Sequence, residues 1–219
     1  MKIKRVVILL SIAFICPVNS SYQDIEILPF KAWDWFCNAT QLTDIIKQER
    51  PKIVVELGSW LGTSTAFFAQ NIDAEGKVYA IDIWDETPEC TDVLRQSMNK
   101  EELKYFYATL YQQFLSNMIH LKLEDKVIPF RSKTVIAASL LDVQPDLVYV
   151  DACHNEEDVY SDIMVWYQKL KPGGTMCGDD WSWDGVRRGV ERAAARLNQV
   201  ITPDGNFWRF GKRPNLQNE

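Results

Sequence analysis

Residues 54–65 read Val-Val-Glu-Leu-Gly-Ser-Trp-Leu-Gly-Thr-Ser-Thr: a β-branched apolar run, a glycine, three residues, a second glycine, then a stretch that reads as helix. A strand that breaks at glycine and opens into a helix has the outline of a nucleotide-binding turn. Gly58 lets the chain turn sharply, and without a Cβ it lets a ligand lie against the backbone. Glu56 sits on the strand just ahead of the turn. Because a glycine pair also serves ordinary αβ turns, the rest of the chain has to carry the reading further.

Around this turn, apolar runs and helical periodicity alternate. Strands are expected at 52–57, 77–83, 127–130, 146–151, 175–178 and 206–210. Helices are expected at 63–71, 133–141, 156–170 and 183–197, the third closed by Lys171-Pro172-Gly173-Gly174. A first helix is expected over 30–49, with Trp33, Phe36, Leu42, Ile45 and Ile46 at mostly helical spacing and Pro51 ending it. Alternating strands and helices mean a doubly wound, mostly parallel α/β sheet. A length of 219 residues with 47% hydrophobic content suits one domain, 21–219, with a substantial core. The interval 85–125 is longer than a crossover needs and carries Tyr105, Phe106, Tyr107 and Tyr111. It reads as a helical insertion whose aromatics either pack on the sheet or form a substrate lid.

The second strand strengthens the nucleotide reading. It ends at Asp82, 20 residues beyond Gly62, where a carboxylate can hold a ribose diol by two hydrogen bonds. A phosphate-binding loop would need Gly-Lys-Ser/Thr, which is absent. The pattern of three close glycines for a dinucleotide is spoiled by Trp60 and Leu61. A cofactor without a pyrophosphate fits better.

Four segments then resemble a known family in the right order. ELGSWLGTS resembles the first motif of class I S-adenosylmethionine methyltransferases, and VYAIDIWD their second-strand motif. LYQQFLSNMIHLKLEDKVIPF resembles the segment before the third-strand loop, and DLVYVDACHNEEDVYSDIMVWYQKLKPGGTMCGDDW the fourth and fifth strands with the helix between them. Within that family the chain is most similar to macrocin-type O-methyltransferases and cephalosporin-hydroxylase-like proteins, with catechol and caffeoyl-CoA O-methyltransferases as relatives. The resemblance implies a seven-stranded Rossmann-like methyltransferase fold with S-adenosylmethionine as cofactor. Glu56 would orient the methionine amino group, and Gly58, Ser59 and Gly62 would make room for the cofactor. Asp82 would bind the ribose hydroxyls, with Ile83 and Trp84 against the adenine. Arg131-Ser132-Lys133 stands where relatives often carry an acidic residue near the adenine amine, so Ser132 is the candidate there.

Asp151 ends the fourth strand and Asp179-Asp180 ends the fifth, so adjacent parallel strands would bring three carboxylates to one rim. Like charges so placed repel unless a cation neutralises them. Oxygen donors suit Mg²⁺ first, or Mn²⁺ or Ca²⁺, and the metal-dependent relatives hold Mg²⁺ at these positions. The alternative is that Asp179 and Asp180 cap the next helix. His154 follows Asp151 by three residues, at the spacing where the relatives place a catalytic lysine, and histidine can serve as base near neutral pH. The plainer reading is a loop histidine that only hydrogen-bonds. Cys153 has no activating base at any motif spacing and is expected to be inert.

The expected reaction is thus methylation of a small-molecule hydroxyl, assisted by a divalent metal. The rival classes are a Rossmann-type oxidoreductase and a non-catalytic S-adenosylmethionine- or nucleotide-binding module. A net charge of −6, from 24 basic and 30 acidic residues, argues against a nucleic-acid partner. No stable protein partner is implied, and a homo-oligomer stays open. Residues 1–20 carry Lys2, Lys4 and Arg5, an apolar or small run over 6–15, and Val18-Asn19-Ser20. This is the layout of a signal peptide or anchor, so the expected location is exported or membrane-tethered, and otherwise cytoplasmic. The alternative is a buried first strand or helix. Of five cysteines, cleavage would leave Cys37, Cys90, Cys153 and Cys177, enough for two disulfides or for four buried thiols.

Overall fold

The computed structural model describes residues 20–32 and 35–214. The expected signal or anchor segment and Trp33 therefore lie outside the described residues, apart from Ser20 in a short turn, Ser20–Tyr22. The elements in chain order are α1 (Ala39–Glu49), β1 (Ile53–Leu57), α2 (Thr63–Asn71), β2 (Lys77–Asp82), α3 (Pro88–Leu94), α4 (Lys100–His120) and β3 (Val127–Arg131). Then follow α5 (Thr134–Leu140), β4 (Leu147–Val150), α6 (Glu156–Lys169), β5 (Thr175–Gly178), α7 (Asp184–Leu197), β6 (Ile201–Asp204) and β7 (Phe207–Phe210).

The strands form one seven-stranded sheet in the order β3-β2-β1-β4-β5-β7-β6. β1 pairs in parallel with β2 on one side (Val54 opposite Val78) and with β4 on the other (Val54 opposite Leu147). β7 runs antiparallel to β5 and to β6. Side chains alternate between the two faces of a strand, and both faces are covered. Val54, Val78, Ala80, Leu147 and Tyr149 pack with α1, α2 and α4 through Leu42, Ile45, Phe68, Phe114 and Met118. Val55, Leu57, Ile81, Val148 and Val150 face α5, α6 and α7 through Ala137, Ile163, Trp166 and Val190. Burial on both faces explains why the central strands read as unbroken apolar runs.

The insertion between β2 and β3 is two helices. The longer, α4, starts at a capping box: Asn99 Oδ1 accepts from the amides of Glu101 and Glu102, both at 3.0 Å, and Glu102 Oε2 accepts from Asn99 N at 2.7 Å. Phe106 and Tyr107 are buried, while Tyr105 is 65% exposed. Among the described residues no helix is long and apolar enough to cross a membrane.

Two sequence expectations need correction. The helix expected from residue 30 starts only at Ala39. The chain before it forms a strap across α4, and α4 side chains take up its backbone groups. Gln112 Nε2 donates to Glu26 O (2.7 Å), Leu28 N to Ser116 Oγ (3.0 Å), His120 Nε2 to Leu28 O (2.8 Å), and Gln113 Nε2 to Pro29 O (2.9 Å). Lys31 N donates to Asn117 Oδ1 (3.0 Å) and Asn117 Nδ2 to Lys31 O (2.7 Å). These partners replace the bonds a helix would have supplied. The second correction is β6, which the sequence reading left out: its residues are largely exposed and Pro203 weakens its strand signal.

One buried carboxyl has a consequence for stability. Asp162 on α6 is 3% exposed and accepts the hydroxyl of Thr134, whose carbonyl accepts Trp166 Nε1 at 3.1 Å. Burial pushes its pKa from 3.8 to about 7, with Asp158 adding to the rise. A carboxyl whose folded pKa is raised favours folding when protonated. That stability is complete below the unfolded value and is lost as pH rises from about 4 to about 7. Asp162→Asn should therefore gain melting temperature on wild type across this interval and hold a constant advantage at pH 8. A parallel pair of melting curves from pH 4 to 8 would refute the assignment.

Candidate active site

The turn after β1 is built around a buried carboxylate. Glu56 is fully buried; its Oε2 accepts Ser59 Oγ at 2.7 Å and the Thr65 hydroxyl. Its Oε1 is buried with no hydrogen-bond partner among the described residues. Burial raises the Glu56 pKa against the opposing hydroxyls of Ser64, Thr65 and Ser59. A buried, half-satisfied carboxylate calls for a donor, and a cation serves best. Gly58 and Gly62 have φ of +88° and +90°, in the left-handed range. Gly58 N donates to Ile81 O (2.8 Å), and a Cβ on Gly58 would lie 1.9 Å from the Asp151 carbonyl oxygen. Trp60 stands between the two glycines at φ +46°.

Asp82 locks this turn to the end of β2. Its Oδ2 accepts Trp60 N at 2.9 Å and its Oδ1 accepts Trp84 N at 2.7 Å, with the amides of Ser59 and Ile83 also turned toward it. Burial raises its pKa, and the backbone amides of the turn oppose the rise. Ile83 is partly exposed beside it. Trp84 is placed differently from the sequence expectation of an adenine contact: it is fully buried at φ +43°, lies 4.7 Å from both Tyr111 and Phe114, and donates Nε1 to Trp60 O at 2.8 Å. Its ring therefore braces the turn from inside. Arg131, which sequence reasoning placed only in a loop, donates Nε to Ile83 O (3.0 Å) and Nη2 to Trp84 O (3.2 Å). Ser132 N donates to Asp82 O at 2.9 Å, so Ser132 borders the same end of the sheet.

Across the seam between β1 and β4 lies the acidic rim. Asp151 N donates to Leu57 O (2.8 Å), which brings the end of β4 against the turn. Burial, then Asp179 and Asp180, lift the Asp151 carboxyl well above its ordinary range. Asp179 is buried; its Oδ1 accepts Asp180 N (2.7 Å) and Asn206 Nδ2 (3.0 Å), and the Tyr149 hydroxyl lies 3.5 Å from its Oδ2. Burial raises its pKa too, with Asp180 adding to the rise. Asp180 adopts φ +60°, and its Oδ2 lies 2.8 Å from His154 Nε2. The His154 ring stacks on Trp183 at 4.7 Å. The rim thus pairs His154 with Asp180 and links Asp180 to Asp179 through Asn206, with Asp151 at the neighbouring strand end. Among the described residues, no three His, Cys, Asp or Glu side chains converge as a metal-ligand group.

Sequence reasoning missed Asn206. Its amide bridges Asp179 and Asp180, reaching Asp180 Oδ1 at 3.1 Å, and its Oδ1 accepts Ser182 N at 3.1 Å. The available signal was the turn run Asp204-Gly205-Asn206, which marks a hairpin. Cys37 also borders the rim, with Sγ 3.9 Å from Asp179 Oδ2. Burial, then the three aspartates, push its thiol pKa up. Cys37, Cys153 and Cys177 are free thiols.

A glycine turn leading into a helix at one end of a parallel sheet, a carboxylate on the next strand and a polar rim across the seam are what a cofactor-dependent transferase of this topology requires. Residues 55–181, more than half the chain, match the family model for a methyltransferase domain. The chain belongs to the methyltransferase domain family. Solved structures share this methyltransferase fold at low identity. The O-methyltransferase TomG of Streptomyces achromogenes, involved in tomaymycin synthesis and solved with SAM, is 14% identical with a TM-score of 0.61, covering 81% of this chain and 80% of its own. An O-methyltransferase of Bacillus cereus in complex with SAH is 13% identical with a TM-score of 0.56, covering 85% and 84%. A methyltransferase of Geobacter sulfurreducens is 18% identical with a TM-score of 0.54, covering 86% and 82%. No curated protein matches the sequence. The matched span of this methyltransferase domain contains Glu56, Asp82, His154 and all three rim aspartates.

Proposed function

We propose that the protein is an S-adenosylmethionine-dependent O-methyltransferase acting on a small-molecule hydroxyl. The observation that carries the reading is the buried Glu56 Oε1, left without a partner beside the glycine turn. It fits the ammonium group of the cofactor's methionine moiety. The Asp82 carboxylate at the end of β2 fits the ribose hydroxyls, and Ile83 and Ser132 border the adenine side. The macrocin and cephalosporin-hydroxylase-like branch is the proposed place within the family, on the motifs quoted above. The bound cofactor supplies an electrophilic methyl group. The protein aligns the acceptor with it and keeps water out. The acceptor's proton passes to the His154–Asp180 pair, whose carboxylate stabilises the charge on the ring.

The finer proposal is a divalent cation, Mg²⁺ first, held by Asp151, Asp179 and Asp180. Hard oxygen donors at the paired ends of β4 and β5 support it. A cation would compete for the same oxygens with the Asn206 amide and with His154. Its contribution would be to hold the acceptor oxygen and ease its deprotonation. A chelator should then abolish methyl transfer, with Mg²⁺ or Mn²⁺ restoring it; full activity in excess chelator would leave the His154–Asp180 pair as the whole device. The helices between β2 and β3 are the proposed acceptor cover, since a cleft of about 290 Å³ lies between Lys31, Met98, Tyr105, Phe106 and Thr109. Residues 1–20 keep their proposed role in export or tethering.

The test is calorimetry with S-adenosylhomocysteine and with NAD. Binding of the first alone is expected. Asp82→Ala should weaken it by about 1–3 kcal/mol, the usual cost of stranding buried hydrogen-bond partners. Tight NAD binding would move the protein to the oxidoreductase class, and unchanged affinity in Asp82→Ala would remove the ribose assignment.

A further inference from the structure

The strap across α4 ends at the cofactor turn, and one residue joins the two. Asn117 is 2% exposed, and every polar atom of its side chain is engaged. Its Oδ1 accepts Lys31 N (3.0 Å) and Gln113 Nε2 (3.1 Å); its Nδ2 donates to Lys31 O (2.7 Å) and to Leu61 O (2.8 Å). Leu61 lies between Trp60 and Gly62, inside the turn that follows Glu56. A second link lies close by. The Trp35 ring, just past the strap, stacks on Trp60 at 5.7 Å and 22°, and Trp60 packs on Phe106 of α4 at 5.4 Å.

We propose that Asn117 is a positioning residue that couples the strap to the cofactor turn, so that closure of the strap and binding of the cofactor favour each other. The inference rests on the cofactor reading of the turn given above. Its physical basis is a shared amide. A strap that lifts withdraws two of the four partners of Asn117 and the Trp35 stack together. The amide that fixes Leu61 O is then free to turn, and the backbone around Glu56 loses a brace. A buried amide with four well-made bonds has one orientation, whereas a half-satisfied one has several. Linkage makes the effect reciprocal: if strap opening weakens cofactor binding by some factor, the cofactor suppresses strap opening by the same factor.

The experiment uses the full chain with S-adenosylhomocysteine as probe. Amide hydrogen exchange at Leu28 and Lys31, which donate to the Ser116 and Asn117 side chains, should slow by about fivefold or more at saturating probe, the lower range of ordinary coupling between linked sites. Ser116→Ala removes the acceptor of Leu28 N without touching the turn, and should weaken probe binding by a similar factor while the fold persists. Asn117→Ala should weaken it more. Exchange at Leu28 and Lys31 unchanged by the probe, or unchanged affinity in Ser116→Ala, overturns the coupling while leaving the cofactor reading intact. A wild-type protein that binds no S-adenosylhomocysteine overturns the cofactor reading, and the coupling falls with it.

Discussion

Gly58→Ala is expected to cost the fold about 2–5 kcal/mol, a large share of the stability of an ordinary domain. Two effects add. A side chain at φ +88° pays for a left-handed backbone, about 1–2 kcal/mol. The new methyl would also sit 1.9 Å from the Asp151 carbonyl oxygen and 2.7 Å from Ala152 Cα. Both are backbone atoms at the end of a central strand, so relief requires β1 and β4 to part, at a cost of about 1–3 kcal/mol or more. Gly173→Ala isolates the first effect, since Gly173 has φ +78° and open space around its would-be Cβ. Thermal melts should therefore show Gly58→Ala falling by about 10 °C, at roughly 2–4 °C per kcal/mol for a chain of this size, and Gly173→Ala by only a few degrees. Equal shifts would mean that the two strand ends do not meet as closely as described.

His154→Ala should slow the chemical step by about 10²–10⁴-fold, the usual worth of a positioned base, while S-adenosylhomocysteine binds as in wild type. The separation follows from geometry: His154 pairs with Asp180 beyond β5, on the opposite side of the seam from Glu56 and Asp82. His154→Gln keeps a hydrogen bond to Asp180 and should be nearly as slow, because an amide cannot take the proton. Single-turnover rates across pH 5–9 distinguish the roles. A lost base removes the acidic limb of the wild-type profile, whereas a merely structural residue lowers the rate at every pH alike. A loss below tenfold would return His154 to the loop reading.

Most of the sheet was legible because the central strands β1, β4 and β5 are buried on both faces and therefore largely apolar, and because Gly58, Gly62 and Gly173 mark sharp turns in the chain. Segments decided by distant partners were not legible. Phe30, Trp33 and Phe36 have the spacing of a helix, yet the strap takes its hydrogen bonds from Gln112, Gln113, Ser116, Asn117 and His120, 84–92 residues away. Nothing local announces such partners. The site shows the same division. Glu56, Asp82, Asp151, Asp179 and Asp180 stand at strand ends, where topology alone places them. Trp84 follows Asp82 by two residues in sequence, but its left-handed backbone turns the indole inward. Asn206 reaches the rim only because β7 returns antiparallel beside β5.

The order β3-β2-β1-β4-β5-β7-β6 divides the molecule along one line. Everything argued to grip the cofactor belongs to residues before β4, and everything argued to act on the acceptor, the proposed cover apart, belongs to residues after it. Between the halves run the β1–β4 ladder and the close approach of Gly58 to Asp151. This architecture is modular in an evolutionary sense. On the proposed assignment, substitutions on the β4–β7 side would retune acceptor choice while the cofactor side is inherited unchanged, provided that the position facing Asp151 stays glycine. Lineages that diverge in substrate should accordingly vary most after β4 and least around the seam.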